Sequence, residues 1–84
     1  MSENAGILLI KLYEEYKKGN NIEKVKPSDV GLSKIAFAKA GDELKTIGYL
    51  PDFTYVETRN NKLVCFIGEL SDEAIEFCEE CVNE

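Results

Sequence analysis

An α+β domain of the winged helix-turn-helix type is what the punctuation of this chain predicts, and three observations carry that expectation. Pro27 to Leu50 reads as a turn, a capped amphipathic helix, a glycine stop and the approach to a strand. An amphipathic segment precedes it, and a polar hairpin with a closing helix follows. With 84 residues, the chain has room for one domain and no second core.

The first helix is expected over residues 2 to 18. Ala5, Leu8, Leu9, Leu12, Tyr13 and Tyr16 fall within one arc of about 140° at the helical step, so that face is expected to be core. Ile7 and Ile10 lie outside the arc, where they either widen the core face or form an exposed contact patch, with widening favoured. Gly19, after Lys17 and Lys18, is the expected stop. Residues 20 to 26 read as a polar, lysine-rich connection. Pro27, Ser28 and Asp29 then supply capping chemistry for little more than one turn of helix ending at Gly31.

Ser33 is the expected N-cap of a helix over residues 34 to 47 that stops at Gly48. Phe37, Ala40, Gly41, Leu44 and Ile47 share the face expected to be buried. Lys34, Ile35, Ala38, Lys39, Asp42, Lys45 and Thr46 form the opposite face, the one a recognition helix would turn to a major groove. Phe53 to Thr58 and Lys62 to Ile67 are β-branched and aromatic, and Asn60 and Asn61 between them suit a tight turn. LVCFI in the second strand is apolar on both faces, so its outer face is expected to be covered or to meet a partner. Ser71 caps a last helix with Ala74, Ile75, Cys78, Cys81 and Val82 as its buried stripe and the glutamates as its wet face.

The net charge of −6 is localised. Residues 69 to 84 hold seven acids and no base, which leaves residues 1 to 68 at +1. The acidity therefore describes one helix rather than the whole surface. No segment reads as a signal peptide, and the apolar run Ile7 to Ile10 is far short of the ~20 residues that cross a bilayer, so a cytoplasmic protein without membrane association is expected.

Cys65, Cys78 and Cys81 are expected to be reduced and metal-free. The count is odd, histidine is absent, a fourth zinc ligand is missing, and the C-x-x-C pair falls within a helical pattern. Neither a P-loop nor a dinucleotide-binding glycine motif appears, and the carboxylates lack a convergent partner. The chain is accordingly expected to be no enzyme, to need no cofactor and to take no small-molecule substrate.

Two functions remain. A DNA-binding regulator would use Lys34, Lys39 and Lys45 on the helix, Arg59 and Lys62 at the hairpin end, and Lys17, Lys18, Lys24 and Lys26 as flanking phosphate contacts. Asp42, with Glu43 at the edge of that face, opposes this role, and the helix lacks Arg, Gln or Asn for bidentate base reading. The alternative is a docking or dimerisation module without DNA binding, using Ile7, Ile10 and Ile35 or the acidic Glu76, Glu79 and Glu80.

The segments ILLIKLYEEYKKGNN, DVGLSKIAFAKAGDELKTIGYL and NNKLVCFIGELSDEAIEF together resemble the YjcQ-type family of small winged-helix proteins found in bacteria, their phages and prophages. The resemblance spans nearly the whole chain. It implies a winged-helix fold and a mobile-element origin, and it carries neither a catalytic signature nor an assigned activity.

Overall fold

A computed structural model describes residues 1–60 and 62–82, with the side chain of Val82 outside the description. The order is α1 (Glu3–Lys17), two 3₁₀ turns (Ile22–Lys24 and Pro27–Val30), α2 (Lys34–Ile47), β1 (Thr54–Glu57), β2 (Leu63–Phe66) and α3 (Asp72–Val82). This is an α+β arrangement of three helices and one antiparallel hairpin.

The same local chemistry starts each helix. The hydroxyl oxygens of Ser2, Ser33 and Ser71 accept the backbone N–H groups of Ala5, Ala36 and Ala74 at 3.1–3.2 Å, satisfying donors that the first helical turn leaves unpaired. α2 stops where Gly48 adopts φ +100° and returns its N–H to Leu44 and Lys45, a left-handed cap that costs glycine nothing. Between α1 and α2, the Asp29 carboxylate accepts the Lys26 N–H at 2.8 Å and Gly31 closes the turn at φ +68°.

α1 packs on α2, α3 packs on α1, and the hairpin packs on α2. The core is built from Leu8, Leu9 and Leu12 of α1, Phe37 and Leu44 of α2, and Leu50, Phe53 and Ile67 from the chain around the hairpin, with Ala74 and Cys78 closing it from α3. Phe53 reaches the core because Gly41 has no side chain: a Cβ there would sit 2.1 Å from the Phe53 ring. In the hairpin, Thr54 pairs with Phe66, Tyr55 with Cys65, Val56 with Val64 and Glu57 with Leu63. The strands are shorter than expected. Thr58 closes the turn by donating its N–H to the Lys62 carbonyl at 2.8 Å. Arg59 and Asn60 lie in this turn, whereas Asn61, the other expected turn residue, lies outside the described residues.

Several burial expectations need correction. Ile47 is 44% exposed, because the Tyr49 and Leu50 N–H groups both fold back to the Leu44 carbonyl, and Leu50 becomes fully buried at the helix end. Tyr16 is exposed at the end of α1, where its ring stacks on Tyr13. Ile7 and Ile10 do not widen the core face; both are exposed, since α2 and α3 are accommodated by the Leu8, Leu9 and Leu12 side of α1. Ala38, expected on the outward face, is buried instead, beside Phe37 on α2. Cys81 is exposed rather than part of the stripe, because it faces an open groove beside α1. The connection over residues 20–26 is not merely polar: its 3₁₀ turn places Ile22 and Val25 in the core. The outer face of β2 is not covered among the described residues, and Val64 and Phe66 stay exposed beside Val56.

Two substitutions test this packing. Phe37→Ala removes a fully buried ring and is expected to lower stability by ~3–5 kcal/mol. Gly41→Ala would gain about 1 kcal/mol from helix propensity alone, but the overlap with Phe53 should reverse the sign to a net loss of ~1–3 kcal/mol. Urea titration reads both, and a stabilised Gly41→Ala protein would contradict the described contact.

Candidate nucleic-acid interface

Phe37, Ala38, Ala40, Gly41 and Leu44 of α2 are buried, and the opposite side of the helix is left to solvent. Lys34, Ile35, Lys39, Asp42, Lys45 and Thr46 are all exposed there, Ile35 most of all at 66%. Lys24, Lys26, Arg59 and Lys62 are exposed as well.

The fold brings only some of these side chains together. Lys26 and Lys34 line one shallow depression of about 260 Å³ with Leu63, Val64 and Cys65, so the second 3₁₀ turn, the start of α2 and the hairpin meet at that place. Lys39 borders a different depression shared by the starts of α1 and α2, with Ser33, Ile35 and Glu43. Lys24 faces Lys11, Glu15 and Asp29 across a third. Arg59 and Lys62 flank the hairpin turn and Lys45 sits in the last turn of α2, outside all three of these depressions.

Ion pairing separates α1 from this surface. Among the described residues the salt bridges are Lys11–Glu15 at 3.0 Å and Lys18–Glu15 at 4.0 Å, both within the α1 region. Bonds from Asn20 and Lys11 hold the Glu15 carboxyl below its ordinary range, and the bond to Glu15 raises Lys11. Lys24, Lys26, Lys34, Lys39, Lys45, Arg59 and Lys62 take part in neither pair, whereas Lys18, also expected as a flanking phosphate contact, does.

Three of the nearby acids are tied to backbone donors. Glu43 was expected at the edge of the outward face, but its Oε2 accepts the Ser2 N–H at 2.7 Å, which joins α2 to the start of α1 and lowers its carboxyl pKa. The Glu23 carboxylate accepts the N–H of Gly68, and that of Asp29 accepts the N–H of Lys26. Each points its charge at a backbone donor. Asp42 has no such tie among the described residues and stays exposed in the middle of the lysine-bearing face.

The residues of the alternative role are spread over the molecule. Ile35 is on α2, and Ile7 and Ile10 are on α1 beside Asp29 and Val30. Glu76, Glu79 and Glu80 are exposed on α3. Sequence reasoning passed over Phe77, which packs against Tyr49 with ring centroids 5.4 Å apart and lines an apolar groove between α1 and α3. The one aromatic of α3, next to Cys78, is the signal for it in the sequence.

No polar or charged side chain is buried among the described residues, and no three potential metal ligands converge there. No described helix is long and apolar enough to cross a membrane. Cys65, Cys78 and Cys81 are free thiols in three environments: half-buried, buried and exposed. Burial, with a smaller contribution from Cys81, pushes the Cys78 thiol up to about 11. Comparisons with protein families, with curated proteins and with solved structures yield no match for this chain.

The cysteine environments generate a test. Iodoacetamide near neutral pH should label Cys81 first and Cys78 only on unfolding, because Cys78 is both shielded and protonated. Since folding raises its pKa, the stability Cys78 contributes is complete below the unfolded thiol value near 9 and is lost as pH rises through about 11. The stability difference between wild type and Cys78→Ala should therefore shrink over that window. Equal labelling of Cys78 and Cys81 in the native protein would contradict this description.

Proposed function

We propose that this chain is a winged-helix regulatory protein, of the kind represented by the YjcQ-type proteins of bacteria and phages, that binds duplex DNA with the exposed face of α2. In this reading α2 is the recognition helix, the hairpin is the wing, and the Pro27–Val30 turn stands in for the positioning helix. The observation that supports it is the set of seven exposed cations, Lys24, Lys26, Lys34, Lys39, Lys45, Arg59 and Lys62, which form no ion pair among the described residues, set against Lys11 and Lys18, which are tied to Glu15.

Lys34, Lys39 and Lys45 would meet phosphates bordering the major groove. Arg59 and Lys62 would reach the backbone beside it, and Lys24 and Lys26 would extend the contact along one strand. Ile35 supplies an apolar tip of the type that touches thymine methyl groups. α2 holds no Arg, Gln or Asn, so bidentate base reading is missing and most of the affinity is expected to be electrostatic. Such a protein acts by occupying DNA, needs no cofactor and performs no catalysis.

Fluorescence anisotropy against a mixed-sequence duplex tests this directly. Affinity should fall with salt at a log–log slope of roughly −3 to −5, the value for about four or five phosphate contacts. Lys34→Ala, Lys39→Ala and Arg59→Ala should each weaken binding, and Asp42→Asn should tighten it by removing a repulsion. The absence of binding at low salt with protein at about 100 µM, the weak end of non-specific affinity, would overturn the DNA-binding reading.

A further inference from the structure

One line of α2 at helical spacing, Ile35, Lys39, Asp42 and Thr46, is exposed at every position. The line beside it is not, since Lys34 and Lys45 share theirs with the buried Ala38 and Gly41. The four side chains, spread over roughly 16 Å of helix axis, are therefore the ones that a groove facing α2 would meet first. Ile35 stands in the first turn, the part of a recognition helix that reaches base edges.

The four differ in what they can read. Thr46 donates its hydroxyl to the Asp42 carbonyl at 3.0 Å, so that donor is turned back into the helix. Lys39 carries a point charge, which serves a phosphate as well as a base. Ile35 is the most exposed of the large hydrophobic side chains among the described residues. An isoleucine contributes nothing to phosphate binding, and what it fits in a major groove is the C5 methyl group of thymine.

Asp42 is the other residue that phosphate binding leaves unexplained. Its neighbour Glu43 is bonded to the Ser2 N–H. The Asp42 carboxylate has no such tie and forms no ion pair among the described residues, although Lys39 and Lys45 stand three positions to either side. An acceptor at this place is repelled by base edges that present acceptors. It favours cytosine, whose major-groove edge offers the N4 amine as a donor and no acceptor. Such a group lowers affinity for every other sequence, which is how an unfavourable contact creates selectivity.

We propose that Ile35 and Asp42 make binding sequence-selective, Ile35 by touching the C5 methyl group of a thymine and Asp42 by accepting the N4–H of a cytosine in the same site. The inference rests on the DNA-binding reading and deepens it: the lysines supply affinity that any duplex satisfies, and these two residues supply the discrimination.

The test selects duplexes from a randomised pool with the full chain and measures the enriched sequence by anisotropy. Replacing its contacted thymine by uracil removes one methyl group and should weaken wild-type binding about fourfold, with no effect on Ile35→Ala. Exchanging the contacted C·G pair for G·C should weaken wild type about fivefold or more. Asp42→Ala should lose the preference for cytosine, and Asp42→Asn should exchange it for adenine, whose N6 and N7 an amide can pair. Both variants should bind mixed-sequence duplex at least as tightly as wild type, which separates lost selectivity from lost folding. A wild-type protein that enriches no sequence would overturn this inference while DNA binding stands, as would Ile35→Ala and Asp42→Ala proteins that enrich the wild-type sequence. Retention of no duplex at low salt would overturn both.

Discussion

The contact between the Phe53 ring and Gly41 is the constraint on which the rest of the arrangement depends. A domain of 84 residues has one core, and that core reaches the hairpin only if β1 begins against the backbone of α2. Glycine at position 41 permits it at a cost in helix propensity of about 1 kcal/mol, which burial of the Phe53 ring offsets at roughly 1.5–3 kcal/mol. With β1 fixed there, Ile67 and the bond from Gly68 to Glu23 hold β2, and the hairpin stands beside α2. The same placement decides which side of α2 stays open.

That division of α2 also sorts the charges. Seven of the ten cations lie on α2, the 3₁₀ turns and the hairpin end and the other three at α1, whereas the acidic surplus rides on α3, which packs on α1. Glu23, Asp29 and Glu43 are drawn into bonds with backbone N–H groups, so three acids that a linear charge count sets against the lysines serve instead as structural ties. A net charge of −6 therefore says little about the α2 face. The proposed DNA contact uses the part of the surface whose charge suits it.

Features governed by local chemistry were legible in the sequence. Ser33, Gly48 and Ser71 mark helix ends because a cap is a bond between near neighbours, and α2 runs over the residues that its punctuation implied. What depended on distant parts of the chain was not legible. Ile47 has the periodicity of a core residue, yet Leu50 occupies the core after the chain turns back, and no pattern within the helix records that reversal. Ile22 and Val25 are isolated apolar residues among lysines, too few for a period, so their burial emerges only with the 3₁₀ turn. Gly41 carried a signal, since glycine within a helix is unfavourable without a packing reason, but its partner Phe53 cannot be named from that alone. At the candidate interface the exposure of the lysines was legible. The engagement of Glu43 by Ser2 was not, being a bond across 41 positions.

The measurement that bears most directly on the central claim is the set of backbone amide shifts perturbed when a short duplex is titrated into isotopically labelled protein. The proposed DNA-binding surface requires the perturbed amides to cluster in residues 34–46 of α2, around Lys26 and at Arg59 and Lys62, with α3 and the Ile10 side of α1 unaffected. Perturbations confined to α1 and α3, or scattered without relation to the α2 face, would contradict it.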